Sequence, residues 1–210
     1  MTAYLVVFDV DSTLIQDEVI ELLAEEAGKR TEVEAVTAQA MAGELDFAES
    51  LIQRVATLRE LPESVISKVL SRIRITDGVP QVIAAVKKNG GKVGAVSGGF
   101  NQILEPLAKL LNLDFAKANE LEIVNGKLTG KVIGQIIDRD AKANSLSEWS
   151  ALTGLTKTVA VGDGANDLKM MEIAELSVAF NAKKIVRDSA DEIIDGNSML
   201  PLLQILGITS

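Results

Sequence analysis

Five short apolar runs, at residues 5–8, 92–96, 158–161, 176–180 and 192–194, alternate along this chain with longer stretches of helical spacing. Runs this short, apolar at consecutive positions, suit strands of a parallel sheet covered on both faces. Between them the spacing is near 3.6, as in Ile103, Leu107, Leu110 and Leu111. Strand–helix alternation predicts an α/β fold, a doubly wound parallel sheet with a Rossmann-like core.

Two segments leave this rhythm. Residues 16–75 show only helical periodicity, with one stripe at Ile20, Leu23, Ala24 and Ala27 and another at Leu51, Val55 and Leu58. A parallel crossover needs about a dozen residues, so a small helical domain is expected at 16–75, inserted after the first strand. The α/β core is then 1–15 and 76–210. The second segment is a hairpin, because Asn125-Gly126 sits between the β-like stretches 121–124 and 127–132.

The chain has 210 residues, no histidine and no cysteine. Ser–His–Asp and Cys–His nucleophile systems, thiolate redox chemistry and His/Cys zinc sites are therefore excluded. The net charge of −9 opposes binding to a nucleic-acid backbone. No apolar run reaches the roughly 18 residues of a membrane span. The first residues lack a basic leader region, so a cytoplasmic protein is expected.

In an open parallel sheet, ligands gather beyond the carboxyl ends of the strands. Asp9 and Asp11 follow the first run, Ser97-Gly98-Gly99 the second, and Gly162-Asp163-Gly164-Ala165-Asn166-Asp167 the third. Asp9 can serve as a nucleophile and Asp11 as acid and then base, provided the backbone coils to turn both toward one point. Asp163 and Asp167, with Asp9, can hold Mg²⁺, a hard ion that prefers oxygen. Ser97 and the glycines after it offer a hydroxyl and open backbone amides to a phosphate, and Lys142 offers a fixed positive charge. Each feature also has a plain structural reading: turn caps at Asp9 and Asp11, a helix cap at Asp167, a solvated lysine at 142.

In order and spacing, Asp9-Val10-Asp11-Ser12-Thr13-Leu14, Ser97-Gly98-Gly99-Phe100, Lys142 and the glycine-aspartate loop resemble the signatures of the haloacid dehalogenase-like phosphohydrolases. The resemblance covers essentially the whole chain and is nearest to the branch that acts on O-phospho-L-serine. It implies hydrolysis to L-serine and phosphate through an aspartyl phosphate, the last step of serine biosynthesis, with Mg²⁺ as cofactor. It implies Asp9 as nucleophile and Asp11 as acid/base, with Asp9, Asp11 (through its backbone carbonyl) and Asp163 as metal ligands. Asp167 would support the metal. Ser97, Gly98 and Lys142 would bind phosphate, and Asn166 would lie at the substrate end of its loop. The insert would be a specificity cap, with Glu18 meeting the substrate ammonium, Arg54 its carboxylate, and Met41 and Phe47 closing the pocket. One anion and one bidentate cation are what a zwitterion calls for. The alternatives are a phosphotransferase passing the group to homoserine or another small alcohol, another small-metabolite phosphatase, and a receiver domain that holds an aspartyl phosphate without turnover. The expected partner is a small phosphomonoester, with no nucleic acid and no membrane; a homodimer is the protein assembly to consider.

Overall fold

β1 (Leu5–Phe8) lies at the middle of a seven-stranded sheet in the computed structural model, which describes residues 2–41 and 45–208. The other strands are β2 (Lys92–Phe100), β3 (Phe115–Val124), β4 (Lys127–Ile133), β5 (Thr158–Gly162), β6 (Leu176–Phe180) and β7 (Glu192–Ile194), in the order β4-β3-β2-β1-β5-β6-β7. All neighbours are parallel except β3 and β4. The chain goes to one side of β1 for β2 and returns to the other for β5. The carboxyl ends at this reversal are where such sheets hold ligands.

Alternation along β1 divides the core. Val6 and Phe8 face α5 (Val79–Lys88), α6 (Asn101–Leu111) and α10 (Pro201–Ile205). Leu5 and Val7 face α7 (Arg139–Thr153), α8 (Leu168–Ile173) and α9 (Lys184–Arg187). Helices therefore cover both faces, which is why the strands carry apolar residues at consecutive positions. The doubly wound expectation holds.

The strands at 5–8, 176–180 and 192–194 match the sequence reading, whereas β2 runs on from 96 to Phe100. Its continuation past the apolar run is irregular, with a register shift against β3 between Val96 and Phe100. The hairpin is present, and Asn125 and Gly126 both have positive φ, at 52° and 73°. Its first strand is longer than expected, since β3 pairs with β2 along one half and with β4 along the other.

After β1 the chain makes a tight coil at Val10–Leu14, then α1 (Val19–Glu26), α2 (Arg30–Met41), α3 (Phe47–Ala56) and α4 (Ser64–Leu70). The passages into and out of these helices run side by side. Ile15 bridges Ile75, Gln16 N–H donates to Arg74 O at 2.9 Å, and Thr76 N–H donates to Leu14 O at 3.0 Å. The Asp17 carboxylate accepts from the Arg74 backbone at 2.8 Å and its guanidinium at 2.6 Å. The hairpin also reaches these helices, an arrangement with no sequence signal: Glu60 N–H donates to Leu128 O and Leu128 N–H to Leu61 O, both at 2.9 Å. Among the described residues no helix is long and apolar enough to cross a membrane.

Candidate active site

The backbone coils sharply between Asp9 and the residues that follow Asp11. Asp11 is extended (φ −63°, ψ 135°) and Ser12 is left-handed (φ 56°), and Leu14 and Ile15 N–H reach back to Asp9 O and Val10 O. This reversal brings the Asp11 carboxylate over the strand ends. Its Oδ1 accepts from Val19 N–H at 2.8 Å, and its Oδ2 lies 3.4 Å from Ser97 Oγ.

Asp9 is buried at the end of β1, where its N–H donates to Val161 O at 2.8 Å. Lys142, at the end of the first turn of α7, has no solvent exposure. Its Nζ donates to Asp9 Oδ1 at 2.5 Å and to Asp167 Oδ1 at 2.8 Å. The surface-lysine reading is therefore wrong. The helix-cap reading of Asp167 also fails: it precedes α8 without capping it, and its second oxygen accepts from Gly164 N–H at 3.1 Å. A Cβ on Gly162 would stand 2.5 Å from the Asp167 carboxyl, so only glycine lets that side chain fold back over the strand end.

Carboxylate oxygens of Asp9, Asp163 and Asp167 lie within 4.8 Å of one another. All are hard donors, and Lys142 is the cation hydrogen-bonded within the cluster. Burial, with Asp167 next to it, holds the Asp9 carboxyl well above its usual range despite Lys142. Burial and Asp167 push Asp163 up to about 6. The two carboxylates win over burial at Lys142 and hold its ammonium above the ordinary lysine value. Three acids sharing one lysine leave excess negative charge, and a divalent oxygen-seeking cation fits that deficit. The cluster can bind a metal. The Asp11 carboxylate is not part of this trio; burial and then the Glu18 charge push it up to about 7.

The helices after β1 supply the other side. Glu18 precedes α1 without capping it and accepts from Ser12 Oγ at 2.6 Å. Phe47 opens α3, and its Cζ stands 2.8 Å from where a Cβ on Gly98 would be, so the ring lies on Gly98 in β2. Arg54, two turns on, is half-buried and donates to Ser50 O at 3.2 Å. Burial lowers the pKa of its guanidinium, with Glu18 and Asp11 opposing. Asn166 is on the same turn as Asp167, beside Gly164, and makes no side-chain hydrogen bond among the described residues. Met41 ends α2, and its side chain lies outside the described set. The structure thus draws Asp9, Asp163, Asp167 and Lys142 into one cluster, sets Asp11 against Ser97, and lays Phe47 on Gly98. Sequence reasoning missed Asn119, a buried side chain that donates to Gly98 O. Nothing in the sequence singles it out, since the same strand also carries Lys117, Glu120 and Glu122.

A haloacid dehalogenase-like hydrolase family model matches residues 6–172, and a second model with the same description matches residues 140–206. The phosphoserine phosphatase of Streptomyces coelicolor is 54% identical over 207 residues, covering 98% of this chain and 50% of that protein. The chain thus spans half the length of that relative. The phosphoserine phosphatase of Streptococcus thermophilus is 48% identical over 204 residues, covering 96% of this chain and 95% of that protein. A solved phosphoserine phosphatase carrying an analogue of the phospho-aspartyl intermediate superposes with a TM-score of 0.91 at 40% identity, over 98% of this chain and 99% of that one. The matched segments include the strand ends that carry the buried carboxylates and Lys142, and the chain belongs to the haloacid dehalogenase-like hydrolase family.

Proposed function

We propose that this protein is a Mg²⁺-dependent phosphatase that hydrolyses O-phospho-L-serine to L-serine and phosphate through an aspartyl phosphate on Asp9. The observation that carries the reading is the buried Asp9–Lys142–Asp167 cluster at the end of β1, with the Asp11 carboxylate two residues on and 3.4 Å from the Ser97 hydroxyl. The match to phosphoserine phosphatases along nearly the whole chain supports the substrate.

Asp9, Asp163 and the Asp11 backbone would hold Mg²⁺, with Asp167 behind them. When bound, the ion supplies positive charge to the phosphoryl oxygens and keeps Asp9 ionised. Asp9 attacks phosphorus while Asp11, protonated, gives its proton to the departing serine oxygen. Asp11 then takes a proton from the water that attacks the aspartyl phosphate, which restores both groups. Lys142, Ser97 Oγ and Gly98 N–H would stabilise the equatorial oxygens. Residues 16–75 would act as a cap, with Phe47 and Met41 excluding water, Glu18 receiving the ammonium and Arg54 the carboxylate.

The test is phosphate release from O-phospho-L-serine, its D-isomer, phosphothreonine and a sugar phosphate, with Mg²⁺ and with chelator. The reading expects many turnovers, dependent on Mg²⁺ and fastest on the L-serine ester. A single phosphoryl group retained per chain would make it a receiver. Phosphate recovered on added homoserine rather than free would make it a phosphotransferase.

A further inference from the structure

Between the pairs Val96↔Lys117 and Phe100↔Asn119 the register of β2 against β3 shifts. Three residues of β2, namely Ser97, Gly98 and Gly99, face one residue of β3, Ala118. Such a bulge re-aims side chains and leaves ladder groups without their usual partners. Two side-chain amides fill the gap here. Asn119 Nδ2 donates to Gly98 O at 2.8 Å, and Ala118 N–H donates to Asn101 Oδ1 at 2.9 Å. Asn119 does more than splint the bulge. Its Oδ1 accepts from Ile137 N–H at 2.8 Å, one residue before Asp138, which caps the helix that carries Lys142. The residue is 1% exposed and both ends of its amide are used. Only a side chain with a donor and an acceptor at this spacing joins a carbonyl on one segment to an N–H on the other.

We propose that Asn119 is a positioning residue for phosphoryl transfer: it fixes the Ser97-Gly98 bulge relative to the segment that delivers Lys142. This rests on the reading that Ser97, Gly98 and Lys142 receive the phosphoryl group. Asn119 touches neither substrate nor metal. It sets the spacing between the two sides of the phosphate, and a shift of about an ångström there costs on the order of 100-fold in rate.

Asn119→Asp separates the two bonds, because a carboxylate still accepts from Ile137 but does not donate to Gly98; Asn119→Ala removes both. With Mg²⁺-loaded protein, kcat for O-phospho-L-serine and for p-nitrophenyl phosphate should fall alike, by about 10- to 100-fold. The inhibition constant of inorganic phosphate should weaken as well. A purely structural role lowers Tm and the active fraction but leaves kcat per active site and phosphate affinity at wild-type values, and that result overturns the proposal. So does a loss confined to phosphoserine, which would place the effect in the serine-binding side. If Asn119→Ala does not fold, Asn119→Asp decides; if neither folds, Asn119 belongs to the fold alone and the proposal fails. If the wild-type protein releases no phosphate, the proposed function fails instead. Inorganic phosphate titrated against the Gly98 amide resonance then still reads the positioning: weaker binding in Asn119→Asp supports it, and equal binding overturns it.

Discussion

Lys142 Nζ sits 2.5 Å from Asp9 Oδ1 and joins residues 133 positions apart, at a point where the lysine has no solvent exposure. Removing one partner of such a pair leaves the other charge buried and unpaired, which costs about 3–5 kcal/mol. Lys142→Met should therefore lower the free energy of unfolding by about that much in chelator, and by less with Mg²⁺, which supplies replacement charge. Urea unfolding with and without Mg²⁺ checks this. A wild-type midpoint in chelator contradicts it.

Asp11 is the proton donor of the account, and its carboxyl is pushed up to about 7 by burial and then by Glu18. It donates only while protonated, so expulsion of an alcohol should slow as pH rises through that value. Removing the Glu18 charge lowers the Asp11 pKa, so Glu18→Gln should move the alkaline limb of kcat to lower pH. Ethyl phosphate, which has no ammonium, is the substrate for this comparison. A limb that stays put or moves to higher pH rules out Glu18 as the tuning charge.

Metal-free stability should follow the same charges. Asp9, Asp11 and Asp163 all have carboxyls raised in the folded state, to about 7 for Asp11 and about 6 for Asp163. Each binds its proton more tightly folded than unfolded, so its stabilising contribution is full below the unfolded value and is lost as pH rises through the folded one. In chelator, Tm should be lower at about pH 8 than at about pH 5, and Mg²⁺ should restore it at the higher pH. A chelator Tm that rises over this interval is the contrary result.

Arg54 is expected to read the substrate carboxylate. Arg54→Ala should raise KM for O-phospho-L-serine by about 10- to 100-fold, the worth of a charged hydrogen-bonded contact. KM for p-nitrophenyl phosphate should change little. Equal effects on both substrates would remove the carboxylate contact from the account.

The hairpin supports the helix that carries Arg54 and Phe47. Gly130, at φ +79°, faces that helix, and a Cβ there would stand 2.9 Å from Arg59 Cβ and 3.2 Å from Ala56 O. Gly130→Ala should cost about 1–2 kcal/mol for the left-handed backbone and also raise KM for phosphoserine. Gly126, at φ +73° with nothing near its Cβ position, is the control. Gly126→Ala should cost the left-handed backbone alone and leave KM unchanged, and matching KM values for the two variants would contradict the supporting role.

Much of the carboxyl end of the sheet could be read from the chain because strand ends announce themselves. Short apolar runs stop at Asp9, Ser97 and Gly162, and a parallel sheet gathers those stops at one edge. Lys142 was harder: nothing local separates a buried helical lysine from a solvated one, and its partners Asp9 and Asp167 are distant in sequence. The hairpin's turn was legible in Asn125-Gly126, but its contact with residues 60–61 rests on backbone bonds that leave no side-chain pattern. Asn119 was invisible for a similar reason, since its two partners are main-chain groups.

The central claim is a covalent phosphoryl group on Asp9, and trapping it is the most direct measurement. The protein, loaded with Mg²⁺, is mixed with phosphoserine labelled in its phosphate, quenched within one turnover, reduced with borohydride and mapped by peptide mass. The account predicts that Asp9 alone is labelled before reduction and is converted to homoserine after it, with neither change in Asp9→Asn. Turnover that proceeds with no modified Asp9, or that persists in Asp9→Asn, would contradict it.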